Sequence, residues 1–197
     1  MKKSAKRDNA PRQLPDAMKL AALNRRVRPT RFILVVSVAA QRMVLFEKCP
    51  GKNGVKGFPD YEFSRDFAVS TSRFGIGQVM NSNRTPLGLH RIAQKIGGRE
   101  PAGTVFKSRK PVGMLGDKSL TDSSIVHRIL WLEGLEPGIN RGGNVDTFRR
   151  YIYIHGYDDE STLGRPQSCG CVHVAAADLI PLYRKLPLRT LVWIAEH

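Results

Sequence analysis

The chain has 197 residues, 41% of them apolar, and sets 32 Lys or Arg against 17 Asp or Glu for a formal net charge of +15. That length and apolar content suit one well-buried domain plus an extension. No stretch reaches the ~18–20 continuous apolar residues of a membrane span, and the three cysteines, Cys49, Cys169 and Cys171, form no disulfide framework and agree with a reducing compartment.

The charge is uneven. Residues 1–31 hold ten Lys or Arg against Asp8 and Asp16, interspersed with Pro11, Pro15 and Pro29. Residues 1–30 therefore read as a mobile basic extension, with a helix from Asp16 to Val27 whose Met18, Leu20, Ala21, Leu23 and Val27 make an imperfect apolar face. Met1-Lys2-Lys3 is a fitting start for a signal peptide, but Ser4 to Arg12 is polar and no apolar run follows, so the sequence as written reads as cytoplasmic. The extension suits non-specific phosphate contacts, yet no finger, aromatic stripe or recognition-helix pattern accompanies it, and nucleic acid is not the expected partner.

Residues 31–197 read as the folded domain. Ile33 to Phe46 is an antiparallel hairpin, and Pro50-Gly51 through Phe58-Pro59 mark a long loop before a strand at Phe67 to Thr71. The turn Thr85-Pro86-Leu87-Gly88 leads into the strand at Leu89-His90-Arg91-Ile92. Gly75-Ile76-Gly77 lacks the third glycine and the helix of a dinucleotide loop. Residues 97–124, rich in Gly, Pro, Lys and Ser, read as an irregular lid whose Arg99, Lys107, Arg109, Lys110 and Lys118 either meet substrate carboxylates or form a solvated surface. Val126 to Leu132 and Arg150 to His155 are neighbouring strands, with Trp131 in the core. A helix from Ala175 to Lys185 ends before Pro187, and Leu191 to Ile194 is the last strand. The expected fold is mostly β with one packed helix.

The chemistry is concentrated in His155-Gly156 and, thirteen residues on from His155, Ser168-Cys169-Gly170-Cys171-Val172. Arg150 to Ile154 places His155 at a strand end, and the polar stretch 157–162 with Gly164-Arg165-Pro166 loops the chain back so that Cys171 approaches it. A free thiol near pKa ~8.5 needs an imidazole or a field of N–H groups to act as a nucleophile at neutral pH. His155 is the candidate base, and the Gly170 and Cys171 amides are candidate donors to an oxyanion. The rival reading is a zinc site on His155, Cys169, Cys171 and His173. Structural zinc sites favour Cys-x₂₋₄-Cys, whereas Cys-x-Cys-x-His alternates along an extended segment, so no metal is expected. His90 and His127 read as packing or surface residues.

These residues resemble the catalytic domain of the L,D-transpeptidase (YkuD-like) family, whose pattern is His-Gly, a gap of similar length, then Ser-His-Gly-Cys and an aliphatic residue. The similarity also takes in the opening hairpin, Phe67 to Thr71, Thr85-Pro86-Leu87-Gly88 and the closing strand. It implies a β-sandwich-like fold with mixed sheets, Cys171 as nucleophile, His155 as general base and acid, and the Gly156 carbonyl as the group that orients the imidazole. It further implies a peptidoglycan stem peptide or muropeptide as substrate, a carbapenem adduct at Cys171, no organic cofactor, and either transpeptidation or L,D-carboxypeptidase trimming. Tyr153, Ser168, Cys169 and His173 are the expected substrate contacts. Cys169 stands where the family has histidine and His173 where Arg or Asn is common. The family's association with the wall places the chain in the periplasm or cell wall if its start is truncated or misassigned.

Overall fold

A computed structural model describes residues 11–51, 57–120 and 125–197. Strand β1 (Phe32–Ser37) is buried along its whole length. Strands have a two-residue side-chain period, so a continuous apolar run implies cover on both faces. The clusters follow that rule: Phe32, Leu34 and Val36 enter one core, and Ile33 and Val35 enter a second.

β2 (Arg42–Lys48) returns antiparallel to β1 and pairs next with β3 (Tyr61–Ser70). The order continues through β9 (Val172–Val174), β8 (Tyr153–Gly156) and β7 (Ile125–Gly134). β4 (Gly88–Ile96) then joins β7 to β10 (Leu191–Ala195), which lies parallel to β1. The eight strands thus form a closed circuit, which removes most free edges. β1–β10 and β8–β9 are parallel and the remaining pairs antiparallel, giving the mixed, mostly-β architecture expected. Helix α2 (Ala176–Lys185) closes the first core with Leu179, Leu182 and Tyr183.

Helix α1 (Asp16–Asn24) corrects the expectation of a mobile extension with a single packed helix in the fold. Leu14, Met18 and Ala22 are buried against Ile33, Val35, Val44 and Leu89, with Ala21 and Val27 packed alongside. The outer face of β1 needs this cover. The helix ends at Asn24, and Arg26 then takes a positive φ of 52°. Residues 1–10 lie outside the described residues. Met18→Ala is expected to cost about 2–5 kcal/mol by urea unfolding; an unchanged midpoint would mean that α1 is only an appendage.

The expected irregular lid is instead mainly a hairpin, β5 (Thr104–Lys107) and β6 (Lys110–Met114), attached to β7 through β5. Its tip, Ser108-Arg109, has φ of 49° and 67°, the sign that tight hairpin turns require. Residues 121–124 of that stretch lie outside the described residues. Arg99, Lys107, Lys110 and Lys118 are exposed, whereas Arg109 turns inward over the rings of Trp131 and Tyr151, 5.0 and 4.9 Å from their centroids.

Candidate active site

Alternation along two parallel strands builds the site. Ile154 pairs with Val172 and His155 with His173. Ile152, Ile154, Val172 and Val174 enter the main core, so the intervening side chains of Tyr153, His155, Cys171 and His173 share the opposite face. His155, Cys169, Cys171 and His173 line one cleft of about 210 Å³ with Arg73, Ile125, Tyr157, Gln167 and Ser168. Cys169 is exposed and also borders a second recess of about 150 Å³, beside Met80, Asn81, Asn83 and Tyr151.

His155 is buried, and its Nδ1 lies 2.7 Å from the Gly156 carbonyl oxygen. A carbonyl only accepts, so Nδ1 donates, and the neutral ring keeps its lone pair on Nε2. Burial pushes the imidazole down to about 4, only partly opposed by that carbonyl. Gly156 has no room for a side chain: a Cβ there would meet His127 Cδ2 at 2.6 Å and the Val126 carbonyl oxygen at 2.7 Å.

The Cys171 sulfur is held by backbone. It donates to the Tyr151 carbonyl at 3.5 Å and accepts the Tyr153 N–H at 3.4 Å. Burial pushes the thiol up to about 12, Cys169 adds to the rise, and the Tyr153 N–H and the Arg150 cation oppose it. The resting pair is therefore a neutral thiol and a neutral imidazole.

Several expected contacts are placed differently. The Ser168 hydroxyl donates to the Cys171 carbonyl at 2.6 Å and accepts the Gly170 N–H at 3.2 Å, so it closes the turn ahead of the thiol while the residue lines the cleft. The same bond occupies the Gly170 amide, correcting the expectation that it faces the cleft. Gly170 has φ of 117°, and its carbonyl accepts from Thr85 Oγ1 at 3.1 Å. This backbone conformation is one that L side chains rarely adopt. Tyr153 is buried with its ring edge-on to Trp131, and its hydroxyl receives an Arg109 N–H at 3.4 Å. Its backbone N–H touches the thiol.

His173 is buried, stacked on Tyr157 at 4.3 Å and edge-on to His155 at 4.8 Å. Its Nδ1 is buried without a hydrogen-bond partner among the described residues. Burial, then the neighbouring His155, push it down to about 3. His90 is a buried structural residue between the Gly88 carbonyl and Thr147 Oγ1, whereas the Nδ1 of His127 accepts the Gly103 N–H at 2.9 Å. Among the described residues no group of three or more His, Cys, Asp or Glu is arranged to hold a metal ion. No helix among them is long and apolar enough to cross a membrane.

The sequence reading missed Arg150, whose guanidinium donates to the Gly77 and Arg84 carbonyls at 3.1 and 2.6 Å and to Ser82 Oγ at 3.3 Å. It pins the loop bordering the second recess and brings a cation near Cys171. Its partners lie about seventy residues away, so no local pattern marks it. Tyr157 and Arg73 were likewise unmarked, since their place in the cleft depends on how the loops return.

Several solved structures are similar to the chain, and the first of them shares its fold. Bd1075 of Bdellovibrio bacteriovorus aligns over 85% of this chain and 49% of its own, with 15% identity and a TM-score of 0.53. An L,D-transpeptidase from Mycobacterium smegmatis aligns over 84% and 58%, with 16% identity and a TM-score of 0.46. L,D-transpeptidase 3 of Mycobacterium tuberculosis, solved with a faropenem-derived adduct, aligns over 84% and 60%, with 15% identity and a TM-score of 0.48. The chain thus spans about half to three-fifths of these proteins. No curated protein sequence matches it significantly. Residues 31–194 match the family model described as the L,D-transpeptidase catalytic domain, YkuD, and the chain belongs to that family.

Proposed function

We propose that the chain is a cysteine acyltransferase acting on peptidoglycan stem peptides, with Cys171 as nucleophile and His155 as general base and acid. The observation that carries this reading is the single cleft bordered by both side chains, with His155 Nδ1 committed to the Gly156 carbonyl and Nε2 left as the lone-pair nitrogen.

Burial pushes the thiol far above neutral pH, so it rests protonated. Proton transfer must therefore accompany attack, which is the work of a general base. As Nε2 takes the proton, sulfur bonds to the carbonyl carbon that joins the L-centre of a diamino acid to a terminal D-residue. The carbon–nitrogen bond breaks, Nε2 returns the proton to the departing amine, and D-alanine leaves. The thioester then passes to an acceptor amine, regenerating the thiol. The Cys171 N–H is the proposed oxyanion donor; the Gly170 N–H joins only by releasing Ser168 Oγ. One such donor is typically worth ~10²–10³ in rate.

His173 supports substrate binding in this scheme. A neutral imidazole with an unmet hydrogen bond at the cleft matches a peptide amide or carboxylate. Cys169, exposed at the mouth, takes the place of the family's histidine as a wall residue.

Incubation with a disaccharide-tetrapeptide and an amine acceptor, followed by product masses, tests the proposal. A crosslinked or amine-exchanged product is expected. Tripeptide alone would identify water as the acceptor and the protein as an L,D-carboxypeptidase, and the absence of both products would contradict the assignment.

A further inference from the structure

Helix α1 is apolar on two sides, and the fold covers one of them. Met18 and Ala22 are fully buried in the second core. Leu20 lies two residues from each, about 200° around the helix. Leu20 and Leu23 are 55% and 38% exposed and, three residues apart, neighbour each other on the outward side. Lys19 pairs with Asp16 at 2.9 Å, which offsets the helix's one acidic charge. The chain then leaves the helix through Arg25, Arg26 and Arg28, all exposed. This is the segment in which residues 1–31 carry ten Lys or Arg against two acidic residues.

Cations alone suit any polyanion, but outward leucines among them gain nothing from phosphate and gain much from hydrocarbon. Basic residues beside a leucine face are the chemistry of a helix lying in a headgroup boundary. Each Lys or Arg held near an anionic leaflet strengthens binding about fivefold. We propose that α1 is a docking surface for an anionic phospholipid bilayer, its arginines meeting the headgroups and Leu20 and Leu23 entering the acyl boundary. None of the residues lining the cleft belongs to the cluster around α1. The inference is independent of the reaction assigned to Cys171.

The test is sedimentation of the full chain with vesicles of phosphatidylcholine containing about one-third phosphatidylglycerol, against pure phosphatidylcholine, at physiological salt. The protein is expected to pellet with the anionic vesicles only. Leu20→Ser with Leu23→Ser is expected to lower partitioning at least about tenfold while retention on heparin is unchanged. Amide exchange across residues 16–24 of the unmodified chain is expected to slow on the same vesicles. Absence of pelleting, pelleting untouched by the leucine changes, or vesicle-bound protein without protection in α1 would each overturn the proposal. The second of these would identify a polyanion site read by cations alone.

Discussion

A carbapenem-type β-lactam is expected to add its entire mass once to the protein, and Cys171→Ala to abolish the adduct. The strained lactam offers the thiol the same electrophile as a peptide carbonyl. Sulfur bonds to the lactam carbon, the ring carbon–nitrogen bond breaks, and that nitrogen takes the proton carried by His155. Nothing leaves, so intact-protein mass rises by the whole molecule. Removing the proposed nucleophile should depress acylation and turnover by at least about 10⁴-fold. Cys169→Ala should retain the adduct. Cys169 is the more exposed thiol, so an adduct surviving Cys171→Ala and lost with Cys169→Ala would relocate the chemistry.

Mild acid is expected to unfold the protein through its buried histidines. Burial pushes His90 and His155 down to about 4, and burial with the adjacent His155 pushes His173 down to about 3. In the unfolded chain the same groups titrate near 6.5. Between those values the unfolded state binds more protons than the folded one, so stability rises with pH across that interval. The contribution is fully present above about pH 6.5 and is lost as pH falls towards 4, with His173 continuing lower. The three groups act in the same direction, so together they lower stability as the pH falls through this interval. Urea midpoints should hold from pH 8 to 7 and fall steeply below about 6.5. His90→Gln should remove roughly a third of that slope whatever its effect on absolute stability. A flat profile down to pH 4 would show that these rings are not held neutral.

Much of this architecture is legible because strand alternation is a local signal. The β-rich stretch from Ile33 to Phe46 predicted the opening hairpin, and the strand ending at His155 together with the Cys171-Val172 segment predicted that base and thiol come together. What covers β1 was not legible. The packed face of α1 is small, Met18 and Ala22 with Ala21 alongside, set among cations that read as a solvated arm. The β5–β6 hairpin was hidden because its Ser108-Arg109 tip lacks the Asn-Gly or Gly signal of tight turns. Circuit closure depends on pairs such as His90 with Gly134, more than forty residues apart. Within the site, His155 and Gly156 stood in plain sequence, whereas the roles of Ser168 and the Gly170 amide are set by a hydrogen bond within the turn. Side-chain type alone could not reveal that commitment.

Trapping the peptide thioester would show which sulfur carries the acyl group. The protein is mixed with a stem tetrapeptide, quenched in acid within the first turnovers, digested, and the modified fragment sequenced by mass. The account predicts a tripeptidyl adduct, the tetrapeptide less D-alanine, on Cys171, and its loss in His155→Ala. A tripeptidyl adduct on Cys169, or product formed at the wild-type rate by Cys171→Ala, would contradict it.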